Sequence, residues 1–194
     1  MRPVRRSEIV DLDTYERMRP AFREIVFAVK APRRIHVGDA CTFLFENPTT
    51  IRYQILEMMR TERLVKEHDI RHELDTYNAL LGADGELGCT LLIEIDDPAV
   101  RAVRLREWFA LPEHVYARLE DGTRVRPRFD ESQRGNGRVS SVQYLKFAVG
   151  GAVPVAVGVD LPGLEAETML TSEQRVALAD DLDERAPATN AARG

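Results

Sequence analysis

The chain has 194 residues, 44% apolar and 30% charged, with a formal charge of −5 and a pI near 5.5. That acidity argues against a general nucleic-acid-binding surface, which needs a basic face. No apolar run approaches the ~20 residues of a membrane span, and the length suits one domain with a real core.

The first ten residues, MRPVRRSEIV, are basic and lack the apolar stretch of a signal peptide, so a soluble cytoplasmic protein is expected. Asp11 or Asp13 can cap a first helix, with Leu12, Tyr15, Phe22, Ile25, Val26 and Val29 on its apolar side. Pro20 falls inside that pattern and predicts a kink or a break. Pro32 ends the element. The short strand IHV then turns at Gly38-Asp39 into CTFLFE, a β-hairpin. His36 lies on the polar face of that hairpin, where a lone histidine is structural or solvated.

The next stretch, residues 43–81, organises the chain. Asn47 and Pro48 end the strand, and Thr49 or Thr50 offers a cap to the following helix. Ile51, Ile55, Met58, Met59 and Val65 make the core stripe of that helix. Tyr53, Glu57, Arg60 and Leu64 line the opposite side, with Arg52 and Gln54 on the flanks. On this spacing Tyr53 can donate to Glu57, and Glu57 can pair with Arg60 or Arg52. A bare polar face would be a solvated salt bridge of little consequence. The tyrosine and leucine on the same line instead predict a face covered by another element or by a partner.

A second helix is predicted over residues 67–81, with the stripe Ile70, Leu74, Tyr77 and Leu81, and with Glu73 and Asn78 beside it. Gly82 stops it. His68 and His72 stand four apart, as metal ligands on a helix do, but on its polar side and without an HExxH motif, so they read as surface residues.

ELGCTLLIEI predicts a central strand, in which Glu94 needs an arginine partner if it faces inward. Asp97-Pro98 starts a helix to about Ala110, with Val100, Leu105, Trp108 and Phe109 available to pack. HVYARLE and TRVRPRF form a second hairpin, whose later strand Pro127 places at an edge or ends. DESQRGNGR predicts a mobile loop. VSSVQYLKFAV and VPVAVGVD are two further strands, and TSEQRVALADDL is a final helix opened by a capping box. The expected architecture is therefore a single α+β domain over residues 1–183, with a mostly antiparallel sheet and helices packed on it. Residues 184–194 are expected to form a disordered tail.

Chemistry is sparse. Cys41 and Cys89 sit in strand-like runs and read as buried free thiols of a reducing compartment, although a disulfide stays open. Neither has a nucleophile signature, and no GxSxG occurs. Glu46, Glu57, Glu73 and Glu94 could serve a metal if the fold gathered them, but no ExxH pair supports a di-iron bundle. No cofactor or metal is assigned. Only Lys30, Lys66 and Lys146 are lysines among the 27 basic residues, a bias that reads as GC-rich coding.

RRIHVGDACTFLFENPTTIRYQILEMMRTERL, IRHELDTYNALL, TLLIEI and VAVGVDLPGLEAETMLTSEQRVALADDL together resemble a small bacterial family of unknown function. The resemblance covers most of residues 7–182 and is strongest in FENPTTIRYQILEMMR. That family is typically encoded near rubrerythrin-like di-iron proteins and heterodisulfide-reductase-like iron–sulfur proteins. The resemblance thus implies a cytoplasmic accessory role in redox or oxidative-stress metabolism, exercised by docking to such a partner. It transfers no catalytic residues. The residues matching its most distinctive runs are Glu46, Arg52, Tyr53, Gln54, Glu57, Arg60, Tyr77 and Asn78, which become the candidate ligand- or partner-binding set. A homodimer is a further partner to test. The alternative is an enzyme, or a small-molecule- or metal-binding protein, with a polar pocket around Glu57 and Arg60.

Overall fold

The computed structural model describes residues 1–183, so the expected tail at 184–194 lies outside the described residues. The helices are α1 (Leu12–Lys30), α2 (Pro48–Glu62), α3 (Glu67–Asn78), α4 (Pro98–Glu107), α5 (Leu111–His114) and α6 (Ser172–Asp183). The first hairpin is β1 (Arg34–Val37) and β2 (Cys41–Phe45), followed by β3 (Glu86–Ile93) and β4 (Val115–Arg118). Four two-residue strands come next: β5 (Arg124–Val125), β6 (Arg128–Phe129), β7 (Arg134–Gly135) and β8 (Arg138–Val139). The last are β9 (Val142–Ala148), β10 (Ala156–Val159) and β11 (Ala166–Met169).

One sheet runs β1-β2-β3-β9-β6 and a second runs β11-β10-β4-β5, with all pairs antiparallel. The α+β expectation holds, with β3 at the centre of the larger sheet as its continuous apolar run requires. Period-two alternation sends Phe43, Phe45, Leu91, Leu145 and Phe147 to one face, where they meet Val115, Ala117, Val157 and Val159 of the smaller sheet. Leu105, Trp108, Leu111 and Leu178 close this core at its helical margins. Pro127, which cannot donate to a ladder, sits where the chain leaves β5 in one sheet and enters β6 in the other.

A second core lies among the helices. Tyr15, Phe22 and Val26 of α1 pack with Ile51, Ile55, Leu56 and Met59 of α2 and with Ile70 and Leu74 of α3. The N-terminal segment adds Val4 and Ile9.

Several local expectations change. The α2 cap is Asn47, whose side chain accepts from the Thr50 N–H while Thr50 Oγ1 accepts from the Asn47 N–H. Pro48 is the first helical residue, the position where a missing N–H is harmless. Pro20 neither breaks nor ends α1, which runs through it with only the bond to the Glu16 carbonyl forgone. Ile25, Val65, Val100 and Phe109, expected to pack inward, are exposed, and Leu56 takes a core place instead. Residues 130–138, expected as a loop, hold regular structure: a 3-10 turn at Glu131–Gln133 leads into β7 and β8, joined at Asn136-Gly137, both at positive φ. Such a pair favours a tight two-residue hairpin turn.

α3 ends at Asn78, earlier than predicted, and the chain then turns tightly onto β3. A Cβ at Gly88 would lie 2.0 Å from the Leu80 carbonyl oxygen, and one at Gly82 would lie 2.2 Å from that of Glu86. Glycine at both positions is what lets the α3–β3 connection lie directly on the strand.

Candidate functional site

α1 covers part of the predicted face of α2: Tyr53, Glu57 and Leu64 are partly buried and Arg60 is exposed. Tyr15 and Arg19 stand four apart on α1, one turn, and both reach Glu57 of α2. The Tyr15 hydroxyl donates to Glu57 Oε1 at 2.5 Å, and the Arg19 guanidinium donates to both carboxylate oxygens at 2.6 and 2.9 Å. Arg60 pairs with Glu16, also from α1, at 2.7 Å. The expected partners were therefore wrong: Glu57 takes Arg19 rather than Arg60 or Arg52, and its phenol donor is Tyr15 rather than Tyr53. Spacing within α2 could not reveal this, because the matching residues lie on another helix. The Tyr15/Arg19 repeat in the first helix was the one available signal.

Hydrogen bonding to Arg19 is the chief cause that holds the Glu57 carboxyl below its ordinary range, with Tyr15 assisting and partial burial opposing. The same environment keeps the Tyr15 phenol protonated: burial and the Glu57 carboxylate both raise its pKa. A carboxyl with a depressed folded-state pKa stabilises fully above its unfolded value near 4.5, and that contribution disappears as pH falls through the depressed value. Glu57→Gln is expected to lower unfolding free energy by about 2 kcal/mol at neutral pH. The difference from wild type should shrink below pH about 4.5, as urea melts across pH would show. A pH-independent difference would mean the carboxylate is not the stabilising group.

The other candidates divide among four places. Arg52 and Tyr53 flank Phe22, the guanidinium 5.2 Å over its ring and the phenol edge-on at 6.1 Å, while the Lys30 ammonium lies 5.3 Å over Tyr53. Gln54 lies beside the Tyr77 side chain, at the α2–α3 contact. Asn78 clamps the N-terminal segment, accepting from the Val4 N–H at 2.8 Å and donating to its carbonyl at 3.0 Å. Glu46 is buried between the two cores, where it accepts from Thr50 at 2.5 Å and Thr90 at 2.7 Å. The eight residues thus join helices to one another and to the sheet rather than converging on one cleft. Partial burial and Glu62 raise the pKa of Glu73, which lies on α3. Glu94 is not buried; it accepts from Thr42 at the sheet margin.

Sequence reasoning missed a buried ion pair nearby. Arg33, in the turn after α1, donates to both oxygens of Asp181 on α6 at 2.8 Å and also to the carbonyls of Val29 and Ala177. Asn47, the α2 cap, adds a 3.3 Å bond to the same carboxylate. Arg33 stands just before the predicted IHV strand and Asp181 within the predicted last helix, and nothing in their spacing links the two.

The thiols are inert. Burial pushes Cys41 up to about 12 and Cys89 well above its ordinary value. They sit at opposite ends of the β2–β3 ladder, Cys41 opposite Ile93 and Cys89 opposite Phe45. Four residues of strand separate them, about 13 Å, beyond disulfide reach. His68 is exposed and pairs with its neighbour Asp69. Among the described residues no three His, Cys, Asp or Glu side chains gather as a metal site would need. None of the described helices is long and apolar enough to cross a membrane.

A family profile described as "Protein of unknown function (DUF3501)" matches residues 3–182. A crystal structure from Burkholderia pseudomallei K96243, titled a novel protein of unknown function, is similar at 30% identity with a TM-score of 0.85. The match covers 93% of this chain and 99% of that one. No curated protein matches the chain.

Proposed function

The chain belongs to the DUF3501 family of proteins of unknown function, and from that footing we propose that it is a cytoplasmic accessory protein that acts by docking to a redox partner. The observation that carries the docking half is the outward face of α1. Pro20, Ala21, Ile25, Phe27 and Ala28 are exposed there, with Glu24 among them and the Arg23 guanidinium 5.2 Å over the Phe27 ring. Ile25 and Phe27 expose 57% and 53% of their surface. A helix whose inner side already holds Tyr15, Phe22 and Val26 in a core has no internal use for a second apolar side. Glu57 and Arg60, the polar residues of the alternative pocket reading, are paired within the chain, and both thiols are buried. Redox chemistry then belongs to the partner. The partner class, a rubrerythrin-like di-iron or iron–sulfur protein, rests on the sequence resemblance alone.

Calorimetric titration with the purified rubrerythrin-like protein of the same organism tests this. Wild type should bind, and Ile25→Asp with Phe27→Asp should weaken binding at least tenfold while leaving the melting temperature unchanged. No binding by wild type would overturn the redox reading. Equal binding by the double variant would remove α1 as the docking face. Self-association of wild type that the same variants abolish would assign the face to a homodimer instead.

A further inference from the structure

On the far side of the larger sheet, a cavity of about 500 Å³ opens between β9, β6 and the turn after α3. Its volume lies within the range of small-molecule sites. Tyr144 and Lys146 of β9 line it and are two residues apart, so they share a face. Leu80 supplies an apolar wall. The absence of a side chain at Gly88, directly opposite Lys146, lets that wall approach the strand.

The opposite wall is built with equal care. The Gln133 side-chain amide donates to the Tyr144 carbonyl at 3.2 Å and accepts from its N–H at 2.5 Å. It thereby takes the place of one residue of a neighbouring strand where β6 has already ended. Asp130, the one carboxylate at the rim, is occupied in accepting from the Ser132 N–H. Arg128 is occupied with Glu86. Lys146 is half-buried and has no ion-pair partner among the described residues. Tyr144 is 41% exposed into the same space.

We propose that this cavity binds a small aryl anion, with the ligand ring on Tyr144 and its carboxylate or phosphate on Lys146. Side chains two apart on a strand repeat about every 7 Å, a span an aryl acid bridges. An ammonium without a carboxylate beside an open phenol ring is complementary to a flat apolar body carrying one negative group. Burial and the nearby Tyr77 and Glu46 keep the Tyr144 phenol neutral, so it can donate to the same anion. This site is independent of the α1 docking face, and its test does not involve the redox partner.

The probes are phenyl phosphate and benzoate, with inorganic phosphate and benzyl alcohol as controls, each titrated into 15N-labelled full-length protein. Saturable shifts centred on the amides of Tyr144, Lys146 and Ser132 are expected. At least one aryl anion should bind at least tenfold more tightly than either control. Lys146→Gln should lose at least tenfold in affinity with an unchanged melting temperature, and Lys66→Gln should bind as wild type. The proposal is overturned by no saturable shift at these amides, by inorganic phosphate binding as tightly as phenyl phosphate, or by Lys146→Gln binding like wild type.

Discussion

Asp181→Ala should destabilise the protein by about 4 kcal/mol, because it strands the Arg33 guanidinium in a buried setting. The side chains of the pair are only 10% and 3% exposed, so water cannot replace the lost carboxylate. Arg33 would keep the carbonyls of Val29 and Ala177, and Asn47 would lose one acceptor, so the loss reaches the start of α2 as well as α6. For a domain of this size each kcal/mol corresponds to roughly 3 °C, giving a fall of about 12 °C in melting temperature. Replacing both partners by apolar residues, Arg33→Met with Asp181→Leu, should recover most of that loss, since the penalty lies in the unpaired charge. A fall under about 1 kcal/mol in Asp181→Ala, measured by urea unfolding, would show the pair to be effectively solvated.

The second large effect is expected from a single methyl group. Gly88→Ala places a carbon 2.0 Å from the Leu80 carbonyl oxygen, an atom of backbone that cannot rotate away. Either the turn after α3 lifts off β3 or the strand shifts, and overpacking of this kind costs about 3 kcal/mol. Gly135→Ala is the control: nothing lies within 4 Å of its Cβ, and a change within about 0.5 kcal/mol is expected. If the two variants have equal denaturation midpoints, the close approach of the turn to the strand is wrong. Binding of phenyl phosphate should weaken along with stability in Gly88→Ala, since Leu80 forms one wall of the cavity.

The sequence announced most of the elements because their signals are local. The apolar runs CTFLF and ELGCTLLI and the 3.6-residue stripe of Ile51, Ile55 and Met59 need only neighbouring residues to be read. β11, of which no residue is fully buried, leaves little alternation to see. β7 and β8 hold two residues each, too few for a period, although their Asn136-Gly137 turn was visible in the letters. The candidate site was harder, because its bonds join distant parts of the chain. Glu57 belongs with Tyr15 and Arg19, and Arg33 with Asp181, and neither periodicity nor spacing links such positions. What the α2 pattern did reveal was that its polar side needed a cover, since Tyr53 and Leu64 are poor residues to leave in water; both pack against the helical core.

The central strand β3 pairs on one side with β2, made before it with α2 and α3 between, and on the other with β9, made only after α4, α5 and the whole β4–β8 region. During synthesis, Leu91 and Ile93 therefore wait on a strand with one open edge until β9 emerges. An apolar strand with unpaired backbone groups is a template for the same strand of another chain. Nascent chains that stall before residue 142 should be the aggregation-prone species. Refolding yield from denaturant should fall as protein concentration rises, even where the finished fold is stable.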